Sequence, residues 1–208
     1  MADPKPRKRR ANGEESRRKI LDAAVEVASE RGYDGTSIAL VSKKCGLPAS
    51  SIYWHFKDKD DLIAAVIERS FGTWLTAWVM PDGDTARERL AAMSMQVAKA
   101  LLDSPDFIRL GLMLALERRP TEAKARTVFL GVRDEAQRRI ADVIHEYLPN
   151  LADEEVGLLT TYTMAAADGL FVAKEIGGDS VDLIRLFELH AHLVYDAAIR
   201  LSTPGGTP

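Results

Sequence analysis

The chain has 208 residues, of which 46% are hydrophobic, so it can form one or two domains with a sizeable core. Its net charge of −3 is unevenly distributed, because residues 1–60 carry 13 Lys or Arg against 9 Asp or Glu and residues 61–208 carry 15 against 22. The basic N-terminal part therefore suits an anionic partner such as nucleic acid.

Three further features of the composition exclude classes of protein. Cys45 is the single cysteine, so an intramolecular disulfide is impossible and secretion has no support. No run of about 18 apolar residues stands out, so no membrane span is expected. The basic N-terminus lacks the apolar segment of a signal peptide. Together these features predict a cytoplasmic protein.

Residues 1–13 are predicted to form a disordered basic arm, since five of the six residues from Lys5 to Arg10 are basic and prolines flank the run. Such an arm could enter the minor groove of DNA, and a solvated tail is an equally good interpretation. A first helix is expected from Asn12 to Gly32, and its role is to support the next two. Its predicted inward face consists of Ile20, Leu21, Ala24, Val27 and Ala28.

The segment from Thr36 to Phe56 predicts two short helices joined by a tight turn. Thr36 or Ser37 can cap the first helix, whose apolar face is formed by Ile38, Val41 and Cys45. Gly46 suits a left-handed turn, and Pro48 suits the first position of the second helix. In that helix Ile52 and Phe56 lie four residues apart and are expected to face inward. This is the general form of a helix-turn-helix.

Two stretches carry a more specific resemblance: GYDGTSI at 32–38 and CGLPASSIYWHFKDKDDL at 45–62. They resemble the TetR/AcrR family of one-component bacterial regulators. The matches to the family pattern are Tyr53, His55, Phe56, Lys59 and Leu62. The resemblance implies DNA-binding residues in two groups. Base edges are contacted by Ala49, Ser50 and Tyr53, and phosphates are held by Ser37, Trp54, His55 and Lys59.

The sequence departs from the family pattern at a few positions. Pro48 replaces a capping Ser or Thr, and Trp54 is bulkier than the usual residue. Ala39 and Leu40 replace polar residues, which makes this head less polar than is usual in the family. These departures motivate an alternative function, a helical protein–protein interaction module with a vestigial DNA-binding head.

The remainder of the chain has the apolar spacing of helices, with no convincing strand pattern. Helices are expected over 57–80, 85–102, 106–118, 121–147, 153–176 and 181–202. The predicted fold is therefore all-α, with a three-helix DNA-binding domain over 14–60 and a helical ligand-binding and dimerisation domain over 61–208.

The resemblance implies a small-molecule pocket and a homodimer in the second domain. Candidate pocket residues are Trp74, Trp78, Met113, Phe129 and Met164, which could equally be ordinary core. Candidate dimer-interface residues are Ala166, Gly169, Leu186, His190, Val194 and Ala197, which could instead close the core of the single subunit. Two-fold symmetry would suit a palindromic operator.

Enzyme chemistry has little support in this sequence. His190 and His192 are two residues apart, so a helix points them in different directions and not at one metal. No phosphate-binding loop, CxxC motif or nucleophile–base pair is recognisable, and no cofactor or metal is expected. A helical enzyme built around the pocket is a remote third interpretation. The sequence predicts a ligand-responsive DNA-binding regulator, a repressor released from a palindromic operator by a small apolar molecule.

Overall fold

The computed structural model describes residues 5–76, 78–117 and 123–202. In this part of the chain there are α-helices, one 3₁₀ turn at Gly178–Ser180 and no strand, so the predicted all-α class is confirmed. The helices are α1 (Lys5–Gly35), α2 (Ile38–Cys45), α3 (Ala49–His55), α4 (Lys59–Leu75), α5 (Ala86–Asp103), α6 (Asp106–Leu116), α7 (Lys124–Tyr147), α8 (Asp153–Gly177) and α9 (Leu183–Leu201).

The described residues form two compact units. Unit 1 contains residues 5–72, 105–117 and 123–131, and unit 2 contains 73–76, 78–104 and 132–202. Unit 1 therefore includes α6 and the start of α7 beside the three N-terminal helices. The predicted division into domains at residue 60 did not anticipate this grouping, and it stays a prediction.

The N-terminal helix differs from its predicted start. α1 begins at Lys5, so residues 5–13 are helical and not the disordered arm expected there, while residues 1–4 lie outside the described part. Lys, Arg and Ala are good helix formers, and Pro6 stands in the first turn, where its missing N–H has no helical partner. Gly32, the predicted end, interrupts the helix with φ +68°, and helical residues continue after this kink to Gly35.

The core of unit 1 forms around the inward face predicted for α1. Ile20, Leu21 and Ala24 are at most 1% exposed. In the same unit Phe129 lies on Gly111 so closely that a Cβ there would be 2.0 Å from its ring. Only glycine fits this position, and the ring fills the space that a side chain would take.

Helix α4 ends at Leu75, five residues before the predicted end at 80. The Thr76 hydroxyl donates to the carbonyl of Thr73 at 2.6 Å, a local bond that competes with continuation of the helix. The later helices begin and end within about two residues of their predictions wherever the structure describes those ends. The predicted end of α6 at 118 and start of α7 at 121 lie outside the described residues.

Unit 2 is built by α9 packing against α5 and α8. One core cluster contains Ile144, Leu151, Val156, Leu159 and Ala198. Arg133 and Asp168 are joined by two parallel hydrogen bonds of 2.6 and 2.7 Å, and this bidentate pair links α7 to α8.

Residues 153–180 are the one described stretch long and apolar enough to cross a membrane, judged by length and composition alone. Thr and Gly residues interrupt its apolar run, so no membrane span was expected here from the sequence. Core helices pass the same test, and Leu159, Met164 and Phe171 of this stretch are buried in unit 2. Leu158, Tyr162, Val172 and Ile176 of the same stretch are exposed.

Candidate nucleic-acid interface

Helix α2 is held at both ends by local hydrogen bonds. The Ser37 hydroxyl accepts from the N–H of Leu40 at 3.3 Å, which caps the helix start as predicted. Gly46 ends the helix with φ +71°, the left-handed turn predicted for it. The Ser42 hydroxyl then donates to the carbonyl of Leu47 at 2.6 Å and holds the turn into the next helix.

Helix α3 begins one residue later than predicted. Pro48 is the N-cap, with φ −63° and ψ 150°, and not the first helical residue. It has no side-chain oxygen with which to cap the helix, so the first turn is held by the N–H of Ser51 donating to the Pro48 carbonyl at 2.9 Å. Ile52 and Phe56 are 0% and 3% exposed, which confirms their predicted inward direction.

The opposite side of α3 presents the residues predicted to contact base edges. Ser50 is exposed, Ala49 is half-buried and Tyr53 is 57% exposed. Trp54, a predicted phosphate contact, is 76% exposed. Two adjacent aromatic side chains in water on a seven-residue helix indicate a surface that is covered by a partner. The assignment of each residue to a base or a phosphate stays a prediction.

Lys59, another predicted phosphate contact, is partly engaged within the fold. Its ammonium donates to the carbonyl of Tyr33 at 3.1 Å and lies 4.3 Å from the centre of the Tyr33 ring. An ammonium has three donors, so the remaining N–H groups are free to bind a phosphate. The contact with Tyr33 fixes where that charge lies.

A carboxylate next to Lys59 has a role that the sequence did not reveal. Asp60 accepts from the backbone N–H groups of Lys124 and Ala125 at 2.5 and 3.1 Å, and from the Tyr33 hydroxyl at 3.0 Å. It therefore caps the start of α7, 64 residues away in the chain. Asp61 pairs with the Lys124 ammonium, and this hydrogen bond lowers the pKa of Asp61 and raises that of Lys124.

Helix α1 also reaches the α3 surface, which was not expected of a helix assigned to support. A cleft of about 360 Å³ separates the two helices. It is lined by Asn12, Gly13 and Ser16 from α1 and by Ser50, Ser51, Trp54 and His55 from α3. The four-residue spacing of Asn12 and Ser16 places them on one face of α1, but only the tertiary structure shows what lies opposite.

His55, a predicted phosphate contact, lies half-buried in the wall of this cleft. Burial lowers its pKa below the ordinary value of 6.5, and the positive charge of Arg17 lowers the pKa further. The Trp54 ring stands edge-on to it, with 4.6 Å between the ring centres. The lower pKa favours the uncharged form of the imidazole.

The candidate pocket residues are distributed between the two units. Trp74, Trp78 and Met164 belong to unit 2, where the two indole rings are 5.1 Å apart, edge to face. Met113 and Phe129 belong to unit 1. Phe129 is core, at 1% exposed, while Met113 is 46% exposed. The pocket stays a prediction.

Most of the candidate dimer-interface residues do not face outward. His190 is 7% exposed, and burial lowers its pKa although the carbonyl of Thr163 opposes that shift. Ala197 packs against the core cluster of unit 2, and Ala166, Leu186 and Val194 are half-buried. Of the six candidates, Gly169 alone is exposed. The α9 candidates are thus buried or half-buried in the single subunit, and their role in a dimer stays a prediction.

The outward face of α8 and α9 carries a different apolar set. On α8 the exposed residues include Leu158, Tyr162, Ala165, Gly169, Val172 and Ile176. On α9 the exposed apolar residues are Ile184, Leu189, Leu193 and Ile199. The α8 residues alternate spacings of four and three, the repeat that keeps one face of a helix against a partner helix.

The described residues contain no group of three or more His, Cys, Asp or Glu that could hold a metal ion.

Comparison with known proteins identifies relatives of the N-terminal part. Residues 20–66 match the family of bacterial regulatory proteins called tetR. An HTH-type transcriptional repressor of Mycobacterium tuberculosis is 29% identical over 141 residues, which cover 68% of this chain and 51% of that protein. The regulator AcrR of Shigella flexneri is 41% identical over 64 residues, covering 31% of this chain and 30% of AcrR. The chain thus spans about half the length, or less, of these curated relatives.

Solved structures share the fold over most of the chain. The fatty acid degradation regulator FadR of Bacillus halodurans superimposes with a TM-score of 0.72 at 20% identity, over 86% of this chain and 94% of FadR. SmeT, the repressor of the Stenotrophomonas maltophilia multidrug efflux pump SmeDEF, superimposes with a TM-score of 0.65 at 20% identity, over 87% of this chain and 89% of SmeT. At this identity the likeness establishes the architecture only.

Proposed function

We propose that the chain, whose residues 20–66 match the tetR family of bacterial regulatory proteins, is a regulator of that family and controls transcription by placing α3 in the major groove of an operator. The observation that carries the proposal is the division of α3 into two faces. Ile52 is fully buried, while the neighbouring Ser50 and Tyr53 are exposed. The family consists of non-enzymatic DNA-binding proteins, which supports the expectation that the chain is not an enzyme. A regulator of this kind acts in the cytoplasm.

The same proposal includes a homodimer formed through the outward face of α8 and α9. Leu158, Tyr162, Val172 and Ile176 are each at least 43% exposed, and they lie in one row on α8. A second copy of the chain offers the same row, so two subunits could bury it as a bundle of four helices. A dimer presents two reading helices, which matches an operator with half-sites about 34–36 Å apart.

We propose that a small apolar molecule releases the regulator from DNA. Helices α4 and α7 each contribute residues to both units, and Asp60 joins their first turns by hydrogen bonds. A ligand that alters either helix in unit 2 would therefore act on the side chains around Lys59. The ligand must bind the DNA-incompetent state more tightly, since equal affinity for both states shifts nothing.

A second candidate function is an interaction module whose head no longer reads DNA. Trp54, at 76% exposed, and the exposed Ala39 favour it, because they add apolar surface to the head. This candidate predicts that the apolar surface binds a protein, and that DNA binding is weak and independent of sequence.

The decisive experiment selects duplexes from a randomised library with the full-length protein and measures their affinity by fluorescence anisotropy. We expect one enriched palindrome bound by two subunits. Tyr53→Ala should lower the affinity for this palindrome roughly 10-fold or more, which is the effect expected from the loss of one base contact. Leu116→Ala, at an 83% exposed position of α6, is the control and should leave affinity unchanged. Equal, weak binding to enriched and scrambled duplexes would favour the interaction module instead.

The ligand part of the proposal needs its own experiment. Fatty acids and hydrophobic antibiotics are suitable probes, since FadR is named for fatty acid degradation and SmeT for a multidrug efflux pump. Compounds that raise the melting temperature of the free protein should also lower its affinity for the enriched duplex. Compounds that stabilise the protein and leave that affinity unchanged would show that the inducer proposal is wrong.

A further inference from the structure

The cleft between α1 and α3 has the chemistry of an anion site. Its α1 wall offers the Asn12 amide and the Ser16 hydroxyl, and its α3 wall offers two more hydroxyls and the His55 imidazole. None of the seven lining residues is a carboxylate. Neutral amide and hydroxyl groups of this kind make many of the hydrogen bonds between proteins and DNA phosphates.

The charged side chains near the cleft also favour the binding of an anion. The Arg17 guanidinium lies 5.4 Å from the centre of the Phe56 ring, one residue after His55, and its charge reaches the imidazole. Glu15, the neighbouring acid on α1, is paired with Lys19 at 2.9 Å. The exposed Glu14 lies outside the cleft lining. Among the described side chains, the Arg17 cation thus acts on the cleft, and no carboxylate lines it.

The aromatic wall gives the cleft its position relative to DNA. The Trp54 ring lies over Gly13, where a Cβ would be 3.7 and 3.8 Å from two ring carbons. Ser50, on the same side of α3, is predicted to contact a base edge. A group bound between Trp54 and Ser16 would therefore lie beside the predicted base contacts. The sugar–phosphate backbone that borders the major groove passes through this position when α3 lies in the groove.

We propose that this cleft holds one phosphate of the DNA backbone and that Asn12 and Ser16 of α1 supply its second wall. α1 then contributes directly to DNA binding and does more than support the reading helix. The inference rests on the proposed function, because it requires that α3 bind duplex DNA. It adds two contact residues that neither the helix-turn-helix pattern nor the family resemblance assigned.

The uncharged side chains of this site give the test a specific signature. Binding by Lys or Arg releases counterions and sets the slope of affinity against salt, whereas binding by an amide or a hydroxyl does not. Asn12→Ala with Ser16→Ala should therefore weaken binding to the enriched duplex about 10-fold or more at every salt concentration, on the scale of hydrogen bonds to a charged group, with an unchanged slope. Asn150→Ala with Ser180→Ala, both exposed in unit 2, is the matched control.

Single phosphates replaced by methylphosphonates locate the contact. In the unaltered protein several replacements per half-site should weaken binding, and one of them should have no further effect in the Asn12→Ala, Ser16→Ala variant. A variant that binds the enriched duplex as tightly as the unaltered protein would overturn the phosphate site and leave the proposed function intact. If the unaltered protein enriches no duplex, both proposals fail.

A second pair of variants tests the site without removing a side chain. Gly13→Gln and Gly13→Glu add side chains of the same shape beside Trp54, where a Cβ has room. We expect the Glu variant to bind the duplex at least about 10-fold more weakly than the Gln variant, because its carboxylate would face the phosphate. Asn150→Glu, in unit 2, measures the effect of one added charge outside the cleft lining. Equal affinity of the two Gly13 variants would contradict the site.

Discussion

Helix α3 in unit 1 and helix α9 in unit 2 both leave apolar side chains in water, but they expose different kinds. α3 exposes Tyr53 and Trp54, which carry a hydroxyl and an indole N–H. α9 exposes Leu189 and Leu193, each 53% exposed and without a polar atom. Aromatic groups with polar atoms suit a hydrated, polar partner such as DNA, whereas aliphatic rows suit a dry contact between proteins. The two surfaces therefore point to two different partners.

The largest expected effect separates the two faces of α3. Ile52→Ala should lower the free energy of unfolding by about 2–5 kcal/mol, because it leaves a cavity in a fully buried site. Tyr53→Ala should change stability by no more than about 0.5 kcal/mol and still weaken DNA binding. Urea unfolding and anisotropy measure the two quantities. If Tyr53→Ala destabilised the protein as much as Ile52→Ala, the division of α3 into a core face and a reading face would be wrong.

The next effect concerns the aliphatic row on α9. Leu189→Asp with Leu193→Asp should weaken the proposed dimer by roughly 3 kcal/mol or more, since each buried leucine contributes about 1.5–3 kcal/mol. Sedimentation analysis across protein concentrations measures the change in dissociation constant. Arg185→Asp, at an exposed position of the same helix, should leave the dimer intact. A protein that stays dimeric with both leucines replaced must associate through another surface.

A smaller effect distinguishes backbone requirements in the turn from those in a long helix. Gly46→Ala should lower stability by about 1–2 kcal/mol, because φ +71° is unfavourable for any residue with a Cβ. Gly131→Ala, in the exposed middle of α7 with open space around it, should raise stability by up to about 1 kcal/mol. Thermal unfolding of both variants tests the opposite signs. A stabilising Gly46→Ala would show that the left-handed turn is not required.

The smallest effect is a pH dependence that α3 and α9 share. Burial lowers the pKa of His55 and of His190 below 6.5, so the unfolded chain binds these protons more readily than the folded protein. The contribution of these two neutral histidines to the free energy of unfolding is therefore fully present above about pH 6.5. It is lost as the pH falls from there toward their lower pKa values in the folded protein. His190→Gln should flatten this decline, which urea unfolding at a series of pH values measures. A decline that is equally steep in the His190→Gln variant would contradict this prediction.

Local chemistry explains why the helix-turn-helix was predictable. Ser37 caps α2 through its own hydroxyl, and Gly46 ends it through its own backbone, so neighbours in the chain decide both ends. The prediction placed the start of α3 one residue too early, because Pro48 is compatible with both the N-cap and the first helical position. It placed the end of α4 too late, because Thr76 can either continue a helix or end it by a local hydrogen bond. The late start assigned to α1 underestimated the helix propensity of its Lys and Arg residues.

The sequence by itself determined the helices, the turn glycines and the inward faces of α1 and α3, because these follow from residue spacing and from bonds between near neighbours. The tertiary structure decided which of two apolar rows on α9 faces the core, since both rows have helical spacing and only packing against α5 and α8 separates them. It also decided that Asp60 caps α7 and that Asn12 and Ser16 lie opposite α3. These contacts join residues tens of positions apart, so no local pattern in the chain encodes them.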